Sequence, residues 1–221
     1  MLVQGKKMTD IKTIGVIGAG QMGNGIAHVA ALAGYDVLLN DLSPERLVEA
    51  RATIERNMHR QAARGFIVSD RVEPALARIT YTSAMGDFGA VDLAIEAASE
   101  NAEVKRSIFK DLCPLLKPEA MIASNTSSIS ITRLGASTDR PEKFIGLHFM
   151  NPVPMMKLVE VIRGLATDQS TYDAAISVAV RMEKTVTNAE DFPAFIVNRI
   201  LIPMINEAVY TLYEGVGTVD S

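Results

Sequence analysis

Apolar residues fall along this chain in two rhythms. Lys12 to Ile17, Asp36 to Asn40, Val91 to Ile95, Ala120 to Ala123, Lys143 to Leu147 and Leu158 to Ile162 each hold a short, nearly unbroken run of Ile, Val, Leu or Ala. Runs of this length read as strands covered on both faces, as in a parallel sheet. Between them apolar residues recur at helical spacing. Ile26, Val29 and Ala30 mark a helix over Met22 to Ala33, and Gly34 suits its C-terminal end. Ser43 followed by Pro44 is a helix start, and that helix is predicted to run to Arg64 with Gly65 as its stop. Asn101 to Leu112 and Thr171 to Glu183 are further helices, and Thr185 to Thr187 a last short strand. Strands alternating with helices predict an α/β fold, a mostly parallel sheet with helices on both faces.

The pattern changes at Asp191-Phe192-Pro193. Phe195 to Glu214 is apolar on several sides and reads as one long helix, with Pro203 inside it expected to produce a kink. The expected organisation is therefore a domain over residues 1–190, and over residues 191–221 the first helix of an all-α domain whose remainder is absent. Met1 to Lys7 read as a leader ahead of a start at Met8.

Composition narrows the functional classes. Of 221 residues, 48% are hydrophobic and 22% charged, the balance of a globular chain. A net charge of −4 argues against nucleic acid as a partner. No apolar run reaches the length of a membrane span, and the first ten residues lack the core of a signal peptide. The single cysteine, Cys113, cannot form an internal disulfide and is read as a buried structural thiol. That usage suits the reducing cytoplasm. No cluster has metal-ligand spacing, so a metal is not expected.

Gly18-Ala19-Gly20-Gln21-Met22-Gly23 is a G-x-G-x-x-G motif. It follows a strand, opens a helix, and precedes a second strand ending in Asp41, 23 residues after Gly18. That context is the dinucleotide fingerprint of a Rossmann-type domain. Gly18 allows the tight turn, Gly20 lets backbone approach a pyrophosphate, and Gly23 lets helix pack on strand. The helix N-terminus faces the phosphate charge. Asp41 can accept from both ribose hydroxyls and would repel a 2′-phosphate, so the cofactor is expected to be NAD.

Three polar segments interrupt the apolar pattern. Ser124 to Ser128 and His148 to Pro154 each come straight after a predicted strand, where open parallel sheets bind ligands. Asn198 sits in the apolar last helix. Oxidising a secondary alcohol needs a base for the hydroxyl proton while hydride leaves, and histidine suits that near neutral pH. A carboxylate can fix the histidine tautomer, and a neutral donor can polarise the oxygen. His148, Glu160, and Ser127 or Asn198 could fill these roles, but spacing alone does not bring them together.

The glycine loop, Ser124 to Ser128, His148 to Ile162 and Asp191 to Arg199 together resemble the 3-hydroxyacyl-CoA dehydrogenase family, whose short bacterial members are 3-hydroxybutyryl-CoA dehydrogenases. The run from His148 through Asn151-Pro152-Val153-Pro154 to Glu160 is the most specific part of the likeness, which spans about Ile11 to Val219. The resemblance implies reversible NAD-dependent oxidation of an (S)-3-hydroxyacyl-CoA to the 3-ketoacyl-CoA. It implies His148 as general base, Glu160 as its orienting carboxylate, and Ser127 and Asn198 beside the reacting oxygen and the acyl carbonyl. It places Gln21, Met22, Glu100, Lys105, Asn125 and Asn151 around the cofactor with the glycines and Asp41. Asn57 and Arg64, on the helix that also carries Arg56 and Arg60, would contact the CoA, and Ser127 the substrate. A homodimer is the expected assembly of the full-length protein.

The family usually has glycine where this chain has Ala194, and alanine resists positive φ, so the turn there is expected to differ. Two other readings remain open. A dehydrogenase of free hydroxy acids would share the glycine loop but use a lysine base. A non-catalytic NAD-binding protein would hold the cofactor without turnover.

Overall fold

The computed structural model describes residues 11–221. The proposed leader, Met1 to Lys7, lies outside the described residues. Eight strands form one sheet: β1 (Thr13–Ile17), β2 (Asp36–Asn40), β3 (Ile79–Thr82), β4 (Leu93–Glu96), β5 (Met121–Ser124), β6 (Phe144–Phe149), β7 (Leu158–Arg163) and β8 (Thr185–Glu190). Their order is β3-β2-β1-β4-β5-β6-β7-β8. Every neighbouring pair is parallel except β6 and β7, which run antiparallel. The chain is thus an α/β protein with a mostly parallel, Rossmann-like sheet.

The helices are α1 (Gln21–Leu32), α2 (Pro44–Ala63), α3 (Val72–Ala77), α4 (Ala102–Leu112), α5 (Ile131–Gly135), α6 (Gln169–Arg181) and α7 (Val197–Tyr213). Strand alternation divides the core into two layers. Ile14 and Val16 of β1, Leu93 and Ile95 of β4, and Met121 and Ala123 of β5 pack with Ile26 and Ala30 of α1, Ile54 and Met58 of α2, and Ala175 and Val178 of α6. Ile17, Ala94 and Ile122 point the other way, against Phe109 of α4 and Leu134 of α5. Gly15 lies on this second face, where a Cβ would stand 2.3 Å from the Phe88 ring.

Local chemistry sets the boundaries. The Ser43 Oγ accepts from the Arg46 amide at the start of α2, and Gly65 takes φ +74° after its end. Gly34 does the same after α1, with φ +85°. Asp168 caps α6 through the Thr171 amide, so that helix begins before Thr171. β8 continues past Thr187 to Glu190 because its whole length pairs with β7. β6 runs past Leu147 to Phe149, so His148 lies inside the strand and not after it. β3, α3 and α5 were not expected. β3 is only four residues long and sits at the sheet edge, without the apolar run that marks the inner strands.

α7 runs unbroken from Val197 to Tyr213 through Pro203 and buries none of its residues. Ile200, Ile202, Met204, Ile205, Val209 and Tyr213 are all exposed on it. Among the described residues no helix is long and apolar enough to cross a membrane.

His28 is the polar group set deepest in the α1–α2 packing. It is 1% exposed, and its Nε2 lies 3.0 Å from the Gln61 carbonyl oxygen. That oxygen only accepts, so Nε2 carries the proton and Nδ1 remains a buried lone pair with no partner. Burial lowers the imidazole from 6.5 to about 4, against the Gln61 hydrogen bond and with the Lys184 charge. Between those values the unfolded chain binds a proton that the folded chain refuses. This contribution is therefore complete above the unfolded value and is lost as pH falls to the folded one, by about 3 kcal/mol. His28→Gln is expected to remove that loss. Urea unfolding across the window should show the stability difference between wild type and variant changing by about 3 kcal/mol, whereas a constant difference would contradict it.

Candidate active site

The carboxyl ends of the parallel strands carry most of the expected site. Gly18 to Gly20 follow β1, Asp41 follows β2, Glu100 follows β4, and Asn125 and Ser127 follow β5. His148 is the penultimate residue of β6, and Asn151 lies just beyond, joined to Pro152 by a cis peptide bond. Ligands bind at this edge of an open α/β sheet because the loops there diverge.

The glycine loop has the shape that its sequence requires. Gly18 takes φ +98°, closed to an ordinary side chain, and a Cβ on Gly23 would fall 1.6 Å from the Gly18 carbonyl oxygen. A Cβ on Gly20 would meet nothing within 4 Å, so open space lies before that backbone. Gly20 is the N-cap of α1 and provides no side-chain cap, which leaves the first-turn N–H groups for an outside acceptor. Asp41 is buried at the loop, accepting from the Ala19 amide at 2.8 Å and the Ser43 amide at 3.0 Å. These residues fit a dinucleotide pyrophosphate and ribose. Gln21 and Met22 begin α1 beside them.

β6 and β7 bring the candidate base to its carboxylate. Their antiparallel register sets His148 directly opposite Glu160, on one face of the sheet. His148 Nδ1 is 2.7 Å from Glu160 Oε2, and Nε2 is 3.0 Å from Ser127 Oγ. Glu160 Oε1 accepts the backbone N–H groups of Ile196 and Val197, each at 2.9 Å. Donors thus surround the carboxylate, and the imidazole gives it the Nδ1 proton. Nε2 is left with its lone pair, which the Ser127 hydroxyl engages. Phe195 covers the ring at 5.9 Å between centroids. Asn198 Nδ2 donates to the Ser127 carbonyl oxygen at 3.4 Å, so it joins this group only through a long contact.

Glu100 and Lys105 form a second group next to Ser127. Glu100 Oε1 accepts from Thr126 Oγ1, the Ser127 amide, the Ser128 amide and Ser128 Oγ. Burial would raise this carboxyl. The Thr126 bond, the Lys105 charge and the donors of Ser127 and Ser128 hold it below its ordinary value. Lys105 is 1% exposed and gives its ammonium to Glu96. Asn125 Oδ1 accepts the Phe149 amide at 2.9 Å, tying the β5 loop to β6. Glu96 was not anticipated. Its signal was an acid ending the apolar run Leu93-Ala94-Ile95, nine residues before Lys105.

A cavity of about 380 Å³ is lined by Gly20, Gln21, Asn57, Asn151 and Pro152 among others. A neighbouring one of about 240 Å³ has Asn57, Arg60, Arg64 and Met155 in its wall. Asn57 and Arg64 of the basic helix therefore line a groove that opens from the glycine loop, while Arg56 donates to Thr53 and is in neither wall. Among the described residues no His, Cys, Asp or Glu group could hold a metal ion. Cys113 is buried in a turn after α4, where burial raises its thiol.

The turn into α7 has the conformation that alanine disfavours. Ala194 takes φ +67° and Phe195 φ +52°. The turn is kept because Asp191, beside it, is anchored. Its two oxygens accept Ser130 Oγ and the Ile131 and Thr132 amides at 2.7 to 2.9 Å. Burial raises the Asp191 carboxyl, but the Thr132 and Ser130 bonds outweigh it and hold it low. Ala194→Gly is expected to stabilise the fold by about 0.5–1 kcal/mol, the left-handed strain less the added entropy of glycine. Thermal unfolding should show a higher midpoint, and an unchanged or lower one would contradict this account of the turn.

The chain matches the family model described as 3-hydroxyacyl-CoA dehydrogenase, NAD binding domain, over residues 13–192. It is 61% identical to a 3-hydroxybutyryl-CoA dehydrogenase of Bradyrhizobium diazoefficiens, over 96% of this chain and 72% of that protein. A probable 3-hydroxybutyryl-CoA dehydrogenase of Bacillus subtilis is 45% identical, over 94% of this chain and 72% of its own length. Among solved structures, (S)-3-hydroxybutyryl-CoA dehydrogenase from Ralstonia eutropha superposes with a TM-score of 0.92 at 42% identity, over 96% of this chain and 75% of that one.

Proposed function

The chain belongs to the 3-hydroxyacyl-CoA dehydrogenase family, and from that membership we propose that it passes hydride reversibly between C3 of a 3-hydroxyacyl-CoA and NAD, with His148 as the base. It is an NAD-dependent oxidoreductase, and the four-carbon 3-hydroxybutyryl-CoA is its substrate by likeness to its relatives. The observation that supports the mechanism best is the chain of contacts Glu160–His148–Ser127, at 2.7 and 3.0 Å.

The hydroxyl of the substrate takes its place against His148 Nε2. NAD, when bound, supplies the hydride acceptor. As hydride leaves C3, Nε2 takes the hydroxyl proton and the C3 carbonyl forms. Glu160, bonded at Nδ1, stabilises the imidazolium and keeps the ring from flipping. In the reverse direction the imidazolium returns the proton to the new alkoxide. Ser127 Oγ is within reach to donate to the substrate oxygen as charge develops, and Asn198 steadies that loop and faces the acyl carbonyl. Gly18, Gly20, Gln21, Met22 and Gly23 would hold the pyrophosphate side of NAD, and Asp41 the adenosine ribose. Glu100, Asn125 and Asn151 would surround the nicotinamide half, with Lys105, buried against Glu96, behind Glu100. Asn57 and Arg64 receive the CoA, whose phosphates suit the arginine row. A lysine base for free hydroxy acids is disfavoured, since Lys105 is spent on Glu96.

NADH consumption with acetoacetyl-CoA tests the reading. The wild type should turn over, and His148→Ala should lose at least ~100-fold in kcat, the usual worth of a positioned acid–base group. Turnover unaffected by the substitution would remove His148 from the mechanism.

We place the domain boundary near Glu190, with residues 191–221 as the beginning of a helical unit. The exposed apolar side chains of α7 are too extensive for a lone surface. We place them in a homodimer of a cytoplasmic protein. Sedimentation across a range of concentrations should show self-association, while a monomer at every concentration would contradict it.

A further inference from the structure

Glu96 ends β4 at the middle of the sheet, in register with Ile17 of β1 and Ser124 of β5. It is fully buried and its two oxygens take four hydrogen bonds. Oε1 accepts from the Ala98 amide and Lys105 Nζ, each at 2.8 Å. Oε2 accepts from Lys105 Nζ and Ser124 Oγ, each at 2.7 Å. A buried ion pair is weak evidence of stabilisation, because apolar residues of similar volume often serve as well. The same ammonium, however, reaches outward. Lys105 Nζ lies 3.6 Å from Glu100 Oε2, and Glu100 is 42% exposed at the site. The other oxygen of Glu100 gathers Thr126, Ser127 and Ser128, the segment that carries the hydroxyl facing His148.

We propose that Glu96 and Lys105 are positioning residues that act through Glu100. Glu96 fixes the ammonium of Lys105, the ammonium fixes the Glu100 carboxylate, and Glu100 fixes the loop that sets Ser127 against His148. Each link is a charged contact to a group with few other places to go. Glu96 and Lys105 touch neither substrate nor the reacting atoms in this role. The inference rests on the dehydrogenase reading for its kinetic arm only.

The test uses the paired substitution Glu96→Gln with Lys105→Met, which removes both buried charges together, so that neither is left buried alone, and takes the ammonium from Glu100. Three readouts are taken: thermal midpoint, NADH affinity by fluorescence, and kcat. The expected result is a midpoint near that of wild type and NADH affinity within about twofold, with kcat lower by ~10- to 100-fold, the scale of a small misplacement of a reacting group. In a Glu100→Gln background the paired substitution should cost little more, since all three act in series. Hydrogen exchange at the Ser127 and Ser128 amides gives a reading that needs no turnover, and it should accelerate in the paired variant. Unchanged kcat and unchanged exchange would overturn the proposal and leave the pair purely structural. A loss confined to NADH affinity would overturn it in favour of direct contact between Lys105 and cofactor. If the pair proves intolerant of substitution, Glu100→Gln alone must still accelerate exchange at the two amides, or the proposal fails. A wild type without turnover whose amides still respond would count against the assigned reaction and not against the positioning.

Discussion

The Glu160 carboxylate is the joint on which the site depends. One oxygen accepts from His148 and the other from the first two N–H groups leading into α7. A fully buried carboxylate is costly unless every lone pair finds a donor. Here the donors come from two parts of the molecule, the imidazole on the sheet and the backbone entering α7, 36 and 37 residues later. Satisfying Glu160 therefore fixes the tautomer of His148 and the place of α7 in one arrangement. The left-handed turn at Ala194 and Phe195, strained for those residues, is what brings the two N–H groups to that oxygen.

The sheet explains why the remaining groups converge. Six parallel strands, β1 to β6, deliver their carboxyl ends to one edge, and β7 returns antiparallel so that its acid faces the histidine of β6. A parallel β7 would need a crossover connection and would set a different register. The tight turn at Gly18 and the contact of Gly23 with Gly18 hold α1 against β1, aiming its uncapped N-terminus along the same edge. The cofactor side and the proton-transfer side are then joined by the β4 and β5 loops through Glu100.

Much of this was legible in the sequence, for identifiable reasons. The inner strands are apolar runs because both their faces are covered, and the glycine motif is local, so both could be read directly. The edge strand β3 was not legible, because half-exposed Thr80 to Thr82 carry no such run. His148 was placed after a strand when it lies within one, since a histidine breaks an apolar pattern even where pairing continues. The meeting of His148 with Glu160 depends on antiparallel register, which spacing does not encode, and only the likeness to a family anticipated it. The part played by Glu96 was hidden because its partners, Lys105 and Ser124, are fixed by a helix and a neighbouring strand and not by nearness in sequence. The positive φ of Ala194 ran against the preference of alanine, a case where tertiary bonds at Asp191 override local preference.

The account turns on which nitrogen of His148 presents its lone pair to the reacting hydroxyl. Nitrogen-15 NMR of the neutral imidazole, with the signal assigned by its loss in His148→Ala, measures this directly. The account predicts a proton on Nδ1, held by Glu160, and a bare Nε2. A proton found on Nε2 instead would mean that the ring cannot accept from substrate in this arrangement, and the assignment of His148 as the base would be contradicted.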